Sequence, residues 1–116
     1  AVLDASAAWH MPDMLAMPYL PPLLGTDEKE ESGITVRLGG PTCLSGDVIG
    51  EYRFQQLPEY GDLLMFGDMA IYTTCKNNTF NGMPLPDIWL RRADSTMQQL
   101  TDFGYGDFKG RLGSRK

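Results

Sequence analysis

Short apolar runs separated by turns that are rich in glycine and proline make up most of this chain. Residues 34–38 alternate apolar with polar or β-branched side chains, which predicts a strand with one buried face. Residues 47–54 again contain β-branched and aromatic side chains and predict another strand, with a bulge or bend at Gly50. Further strands are predicted over residues 1–6, 63–66, 69–74 and 87–90. The pattern therefore indicates a mainly β fold.

The segments between these runs predict two loops and one helix. The prolines within residues 9–22 predict a long ordered loop, since proline breaks a helix interior. Residues 26–33 are charged and predict a solvated hairpin tip rather than a metal site. Asp94 and Ser95 predict the start of a short closing helix that ends near Gly104. Because no repeat or linker interrupts the chain, residues 1–116 are predicted to form one domain.

Residues 39–47 form a glycine-bracketed loop that presents one cysteine and one carboxylate between the two best-defined strands. Its glycines and Pro41 favour a fixed turn whose side chains point outwards, so Cys43 is a candidate catalytic thiol. The alternative is a small buried hydrophobic residue, and the spacing alone leaves both open. His10 is the only histidine, and a packed or solvent-facing role suits it better than a catalytic pair with Cys43.

Charge and cysteine content exclude several classes of function. The formal net charge of -5, with no basic run, argues against a nucleic-acid partner but is compatible with a cationic one. Two distant cysteines form neither a disulfide framework nor a zinc site, which predicts a reducing, cytoplasmic compartment and no metal. No apolar run approaches the roughly 20 residues that a membrane-spanning helix needs. We therefore expect neither a nucleic acid nor a membrane as a partner.

Four blocks in order resemble the C-terminal β-domain of the pyridoxal-phosphate-dependent decarboxylases with an alanine-racemase-like fold. This family includes the ornithine, diaminopimelate and carboxynorspermidine decarboxylases. The blocks are Gly40-Pro41-Thr42-Cys43 with Ser45-Gly46-Asp47, Gly61-Asp62-Leu63-Leu64, Asp68-Met69-Ala70-Ile71-Tyr72-Thr73 and Thr79-Phe80-Asn81-Gly82. The branch that acts on carboxynorspermidine or carboxyspermidine is the most similar, through Leu3-Asp4-Ala5-Ser6-Ala7 and His10-Met11-Pro12-Asp13-Met14-Leu15.

The resemblance implies a β-barrel or sandwich domain with a short C-terminal helix, which completes an active site across a head-to-tail homodimer. In the family, a TIM-type barrel domain holds pyridoxal 5'-phosphate on a lysine. None of the four lysines of this chain matches that lysine, and the chain enters a strand-like run at once without an initiator methionine. The expectation is a fragment that lacks the barrel domain and is inactive alone, while its full-length parent is a carboxy-lyase of polyamine biosynthesis.

The resemblance also implies roles for individual residues. Cys43 is the proton donor to the carbanion left after decarboxylation, and Tyr72 hydrogen-bonds the cofactor phosphate. Leu44 stands where ornithine-type and diaminopimelate-type relatives have an acidic residue, which favours the methylene-rich arm of a longer polyamine precursor. Asp4 and Asp47 are candidates for binding its ammonium groups, and for Asp47 a salt bridge across the dimer interface is the alternative.

Two other interpretations stay open at this stage. The parent enzyme could decarboxylate ornithine or diaminopimelate, which assays of carbon dioxide release would distinguish. The chain could instead be a non-catalytic β-domain that serves dimerisation or regulation, although Cys43 and Tyr72 are both present.

Overall fold

A computed structural model describes residues 1–26 and 32–113 of the chain. Most of the predicted charged hairpin tip, and the last three residues, lie outside these ranges. Strands β1 (Ile34–Gly39) and β2 (Val48–Phe54) pair antiparallel, which confirms the two strands predicted most clearly. Their register shifts between Leu38 and Gly39, because Leu38 faces Gly50 and Gly39 faces Val48. The extra residue in β2 is thus next to Gly50, where the bend was predicted.

The N-terminal segment approaches this hairpin without joining it as a full strand. Val2 forms an isolated parallel bridge with Gly39, and this bridge is all that the structure shows of the strand predicted over residues 1–6. Helices α1 (Ala7–His10) and α2 (Pro12–Ala16) follow, so the predicted loop over residues 9–22 is wrong in its first half. The Ser6 hydroxyl accepts the Trp9 amide and caps α1. Pro12 occupies the first turn of α2, where proline favours a helix instead of breaking it.

The strand pair predicted over residues 63–66 and 69–74 is also wrong. Phe66 forms only an isolated bridge with Leu23, and helix α3 (Tyr72–Lys76) replaces the second strand. Ile71, at the N-cap of α3, has a φ of 63°, which turns the chain out of an extended path. The β-branched and aromatic residues of this run gave a β signal that tertiary contacts override.

The core of residues 1–77 lies between the hairpin and the first two helices. Leu38, Ile49 and Tyr52 from the sheet contact a set of buried side chains from the N-terminal segment. These are Ala7, Met11, Met14 and Leu23. The Tyr52 hydroxyl donates to the Pro21 carbonyl at 2.7 Å, which satisfies its polar end inside the core. Helix α3 packs against both α2 and α1.

Residues 78–116 form a second compact unit by their contacts. Strands β3 (Ile88–Arg91) and β4 (Met97–Thr101) pair antiparallel, and helix α4 (Tyr105–Arg111) follows a short 3-10 turn and this hairpin. A short C-terminal helix therefore exists, but the prediction of a helix from Asp94 to near Gly104 is wrong, because β4 occupies that span and Gly104 precedes α4. Asp94 instead accepts the Thr96 amide at 3.0 Å, and Ser95 has a φ of 67°, so these residues form the hairpin turn.

Two antiparallel strand pairs with short helices make the fold mainly β, as predicted. The division into residues 1–77 and residues 78–116 describes compactness alone. The single domain over residues 1–116 stays a prediction. Among the described residues, no helix has the length and apolar character that crossing a membrane requires.

Candidate functional site

The loop of residues 39–47 connects β1 to β2 and is closed by its own backbone. The Gly40 amide donates to the Asp47 carbonyl at 2.9 Å, and the Asp47 amide donates to the Leu44 carbonyl at 3.0 Å. Cys43 lies between these closures, and its side chain is exposed. The reading of Cys43 as a small buried residue therefore does not fit, and the loop holds its thiol at the surface.

Asp47 is buried, with 4% of its surface exposed, and both of its carboxylate oxygens accept hydrogen bonds. Oδ1 accepts the Ser6 hydroxyl at 2.8 Å and the Ala7 amide at 2.7 Å. Oδ2 accepts the Thr42 hydroxyl at 2.5 Å and the Thr42 amide at 3.3 Å. This single carboxylate thus joins the start of α1 to the residue that precedes Cys43.

The hydrogen bonds decide the protonation state of Asp47. Burial by itself raises the pKa of a carboxyl group, but the donors outweigh it and hold the pKa of Asp47 below its ordinary value of 3.8. Thr42 contributes most to this lowering, followed by Ser6 and the amides of Ala8 and Ala7. Asp47 is therefore a buried anion at neutral pH, stabilised by neutral donors.

Asp4 lies on the surface between two attachments of the N-terminal segment to the loop. Before it, the Leu3 amide donates to the Gly39 carbonyl at 2.9 Å. After it, Ser6 binds Asp47. Asp4 itself is exposed. The structure therefore places Asp4 next to the two ends of the loop that contains Cys43, with Asp4 and Cys43 exposed and Asp47 buried.

Tyr72 begins α3 and exposes 68% of its surface. The Lys76 ammonium, one turn later, lies 5.4 Å from the centre of the Tyr72 ring. That ammonium lies over the face of the ring, and the exposed phenol hydroxyl is a hydrogen-bond donor that suits a phosphate oxygen. The residues present therefore fit the phosphate end of pyridoxal 5'-phosphate.

Asp13 in α2 belongs to a hydrogen-bond network that the sequence patterns did not reveal. Its Oδ2 accepts the Tyr19 hydroxyl at 2.7 Å, and its Oδ1 lies 3.3 Å from the Thr73 hydroxyl. Burial and then the Asp13 carboxylate raise the pKa of Tyr19. One signal in the sequence could have indicated a helix here. Asp13 directly follows Pro12, and a proline followed by a carboxylate is typical of the first turn of a helix.

His10 has a structural contact of its own. Its Nδ1 accepts the Ser6 amide at 3.1 Å, at the end of α1. The packed role that the sequence favoured for His10 agrees with this contact. Within residues 1–26 and 32–113, no group of three or more His, Cys, Asp or Glu side chains is placed to hold a metal ion.

Comparison with known proteins connects this geometry to a family. A family model described as the C-terminal sheet domain of pyridoxal-dependent decarboxylases matches residues 1–70. A carboxyaminopropylagmatine decarboxylase from Synechocystis sp. is 43% identical over 113 residues, which cover 97% of this chain and 29% of that protein. A carboxynorspermidine/carboxyspermidine decarboxylase from Campylobacter jejuni is 40% identical over 119 residues, covering 93% of this chain and 31% of that protein.

A solved structure matches over nearly the same extent. It is the carboxynorspermidine decarboxylase of Campylobacter jejuni complexed with norspermidine, with a TM-score of 0.89 and 37% identity. The match covers 96% of this chain and 33% of the solved chain. The chain thus spans about a third of the length of the relatives that it matches.

Proposed function

Because this chain belongs to the pyridoxal-dependent decarboxylases, as their C-terminal sheet domain, we propose that the whole protein decarboxylates carboxynorspermidine or carboxyspermidine. The products are norspermidine or spermidine, which places the reaction in polyamine biosynthesis. The observation that supports this substrate class is a similarity covering nearly the whole chain to enzymes named for these substrates.

The cofactor of the proposed reaction is pyridoxal 5'-phosphate, whose pyridine ring would supply an electron sink for the electron pair that remains on the substrate when carbon dioxide leaves. From this chain, Tyr72 would hold the phosphate through its hydroxyl donor. The lysine that binds the cofactor is assigned to a barrel domain of the whole protein, on the basis of the family resemblance.

Cys43 has the proton-donating role in this proposal. Loss of carbon dioxide leaves an electron pair on the substrate α-carbon, and the Cys43 S–H delivers a proton there to form the new C–H bond. The thiolate then regains a proton from solvent. The exposed thiol and the backbone-closed loop support this role, since a general acid must reach the reacting carbon from a fixed position.

We assign different roles to Asp4 and Asp47. Asp4 is exposed beside the Cys43 loop, and we assign it to an ammonium group of the substrate. The substrate and interface roles predicted for Asp47 stay predictions. Its five hydrogen-bond donors within this chain favour a third role, in which Asp47 holds the Cys43 loop against α1.

We also propose that the whole protein acts as a cytoplasmic homodimer with the active site at the subunit interface. The family resemblance supports the dimer. Both cysteines, Cys43 and Cys75, are free thiols, which agrees with a reducing compartment.

Carboxyaminopropylagmatine is a second candidate substrate. The observation that favours it is the 43% identity to an enzyme named for that compound. Ornithine and diaminopimelate are less favoured, because Leu44 places an apolar side chain, 46% exposed, directly after Cys43. A purely structural role for the chain is less favoured, because nearly its whole length is similar to enzymes named as decarboxylases.

The test of the proposed chemistry compares Cys43→Ala with Cys75→Ala in the full-length protein, because both thiols are exposed. Carbon dioxide release and the identity of the organic product are measured together. In Cys43→Ala we expect correct product to form about 100-fold more slowly, the order that a positioned general acid contributes. Part of the product would appear as an aldehyde, with water supplying its oxygen, because the substrate α-carbon no longer receives its proton from Cys43.

Cys75→Ala should keep both the rate and the product of the unmodified protein. If Cys43→Ala also retained them, the assignment of Cys43 as the acid would be wrong. If the unmodified protein released no carbon dioxide from any carboxylated polyamine, the proposed reaction itself would be wrong.

A further inference from the structure

Helix α3 is too short to be stable without partners. It spans five residues, Tyr72–Lys76, whereas isolated helices shorter than about 12 residues are marginal in water. Ile71, which precedes it, is a β-branched residue in the left-handed region with a φ of 63°. Such a conformation persists only where the surrounding structure holds it. The position of Tyr72 must therefore depend on contacts made by its neighbours.

The first anchor of α3 is Thr73, the residue directly after Tyr72. Thr73 exposes only 7% of its surface, although Tyr72 exposes 68%. Its hydroxyl lies 3.3 Å from Asp13 Oδ1 and 3.5 Å from Asp13 Oδ2. Tyr19 donates to the same carboxylate at 2.7 Å, so Asp13 is itself fixed by a second donor.

The second anchor is Asn77, which follows α3. With its amide in the orientation that satisfies its neighbours, the side-chain nitrogen lies 2.7 Å from the Thr73 carbonyl and 2.6 Å from the His10 carbonyl. Both ends of α3 are thus attached to the α1–α2 segment. Of these attachments, the Asp13 carboxylate is the one that Thr73, the residue next to Tyr72 in sequence, contacts through its hydroxyl.

We propose that Asp13 is a positioning residue that fixes Tyr72, through Thr73, for contact with the cofactor phosphate. The inference rests on the proposed function, in which Tyr72 donates to that phosphate. Asp13 reaches α3 through the buried hydroxyl of Thr73, while the exposed Tyr72 hydroxyl stays available to a ligand. Loss of the carboxylate leaves Thr73 without a charged acceptor and lets the start of α3 move, so the Tyr72 hydroxyl loses its fixed direction.

The experiment measures the dissociation constant of pyridoxal 5'-phosphate from the full-length protein by absorbance titration of the cofactor-free form. Tyr72→Phe, Asp13→Asn and Thr73→Val are each expected to weaken binding by about 5-fold to 10-fold, the effect of one lost hydrogen bond. Thr73→Ser keeps the hydroxyl and should bind the cofactor as the unmodified protein does. Asp102→Asn removes an exposed carboxylate elsewhere and serves as the matched control.

The double variant Asp13→Asn with Tyr72→Phe separates positioning from general stability. If Asp13 acts through Tyr72, the double variant binds the cofactor no more weakly than Tyr72→Phe alone. If the two substitutions weakened cofactor binding by factors that multiply in the double variant, the proposal would be overturned, because Asp13 would then act by another route. Thr73→Val with Tyr72→Phe gives the same comparison if Asp13→Asn does not fold.

The same measurements distinguish failure of the phosphate role of Tyr72 from failure of the positioning role of Asp13. If Tyr72→Phe bound the cofactor normally, the phosphate role of Tyr72 would be wrong, and the positioning role of Asp13 would fail with it. If Tyr72→Phe weakened binding while Asp13→Asn and Thr73→Val did not, only the positioning role would be overturned.

Discussion

Asp47 joins the loop of residues 39–47 to the start of α1 through hydrogen bonds to both of its carboxylate oxygens. A buried carboxylate is costly unless hydrogen bonds replace its lost hydration. Here Ser6, Thr42 and backbone amides supply those bonds, and they come from both sides of the loop. The exposed thiol of Cys43 is one residue from Thr42. The stability of the Asp47 contacts and the placement of the thiol are therefore linked.

Asp47→Asn should destabilise the protein by about 3 kcal/mol, because hydrogen bonds to a buried charge are lost and one amide NH₂ then faces donors. Urea unfolding at pH 7 measures the loss. The exposed Asp102→Asn is the control and should stay within about 0.5 kcal/mol of the unmodified protein. Equal stability of Asp47→Asn and Asp102→Asn would contradict the structural role of Asp47.

The same variant tests the pH dependence of stability. Since the folded pKa of Asp47 lies below its ordinary value of 3.8, the unfolded state binds this proton more readily. The stabilisation from Asp47 is thus fully present above pH 3.8 and is lost as the pH falls through the lower folded value. In Asp47→Asn that part of the acid sensitivity should disappear. An unchanged loss of stability below pH 3.8 would show that other groups cause it.

At the scale of single residues, the exposure of Cys43 could be predicted from the sequence, and the contacts of Asp47 could not. The glycine-bracketed turn predicted an outward-facing Cys43, and the thiol is exposed. The substrate and interface roles of Asp47 stay predictions, and its hydrogen bond with Ser6 joins residues that are 41 apart in sequence. No local pattern shows that a carboxylate and a distant helix start will meet.

At the scale of elements, the loop of residues 39–47 depends on the absence of a side chain at Gly40. A Cβ built there would lie 2.6 Å from the Asp47 carboxylate carbon, which is far inside van der Waals contact. At Gly46, in the same loop, an added Cβ would meet nothing within 4 Å. Neither glycine has a positive φ, so the two sites differ mainly in the space available.

Gly40→Ala should therefore displace the Asp47 carboxylate and lower the free energy of unfolding by about 2 kcal/mol, as overpacked sites do. Gly46→Ala is the matched control and should change it by no more than about 0.5 kcal/mol. Thermal unfolding of both variants gives the comparison. Similar melting temperatures for the two would mean that the Asp47 contacts tolerate the added methyl group.

The elements that sequence reasoning missed share a physical cause. The predicted start of a helix at Asp94 and Ser95 is a hairpin turn, because an Asp side chain that accepts a following amide serves both structures equally well. Pairing of β4 with β3 then decides the outcome. In residues 72–76, β-branched side chains favoured a strand, yet the Asp13 and Asn77 contacts hold a helix there. Long-range contacts outweighed local preference in both cases.

At the scale of the whole molecule, all four predicted site residues lie in the compact unit of residues 1–77, and the family match lies within it too. The two strands with the clearest alternation, β1 and β2, flank the loop that holds Cys43. These two strands and the loop between them could be predicted, because alternation of apolar and polar residues and the glycines of a turn are local signals. The helix that begins at Tyr72 could not be predicted, since it depends on contacts between segments about 60 residues apart.

The substrate preference of the full-length protein can be measured directly. Carboxynorspermidine, carboxyspermidine, carboxyaminopropylagmatine and ornithine are compared by kcat/KM for carbon dioxide release. We expect the carboxylated polyamines to exceed ornithine by at least about 10-fold, because contact of two methylene groups with an apolar side chain contributes roughly that much. We assign this contact to Leu44, which is exposed and directly follows Cys43.

Leu44→Asp should reduce the ratio of kcat/KM for the carboxylated polyamines to kcat/KM for ornithine. A carboxylate at that position suits a short diamine, and the apolar contact of the leucine is lost. Leu57→Asp introduces the same charge at another exposed leucine and should leave the preference unchanged. A preference for ornithine in the unmodified protein would contradict the substrate class. An equal effect of the two variants would show that overall charge, and not the position next to Cys43, determines which amine is accepted.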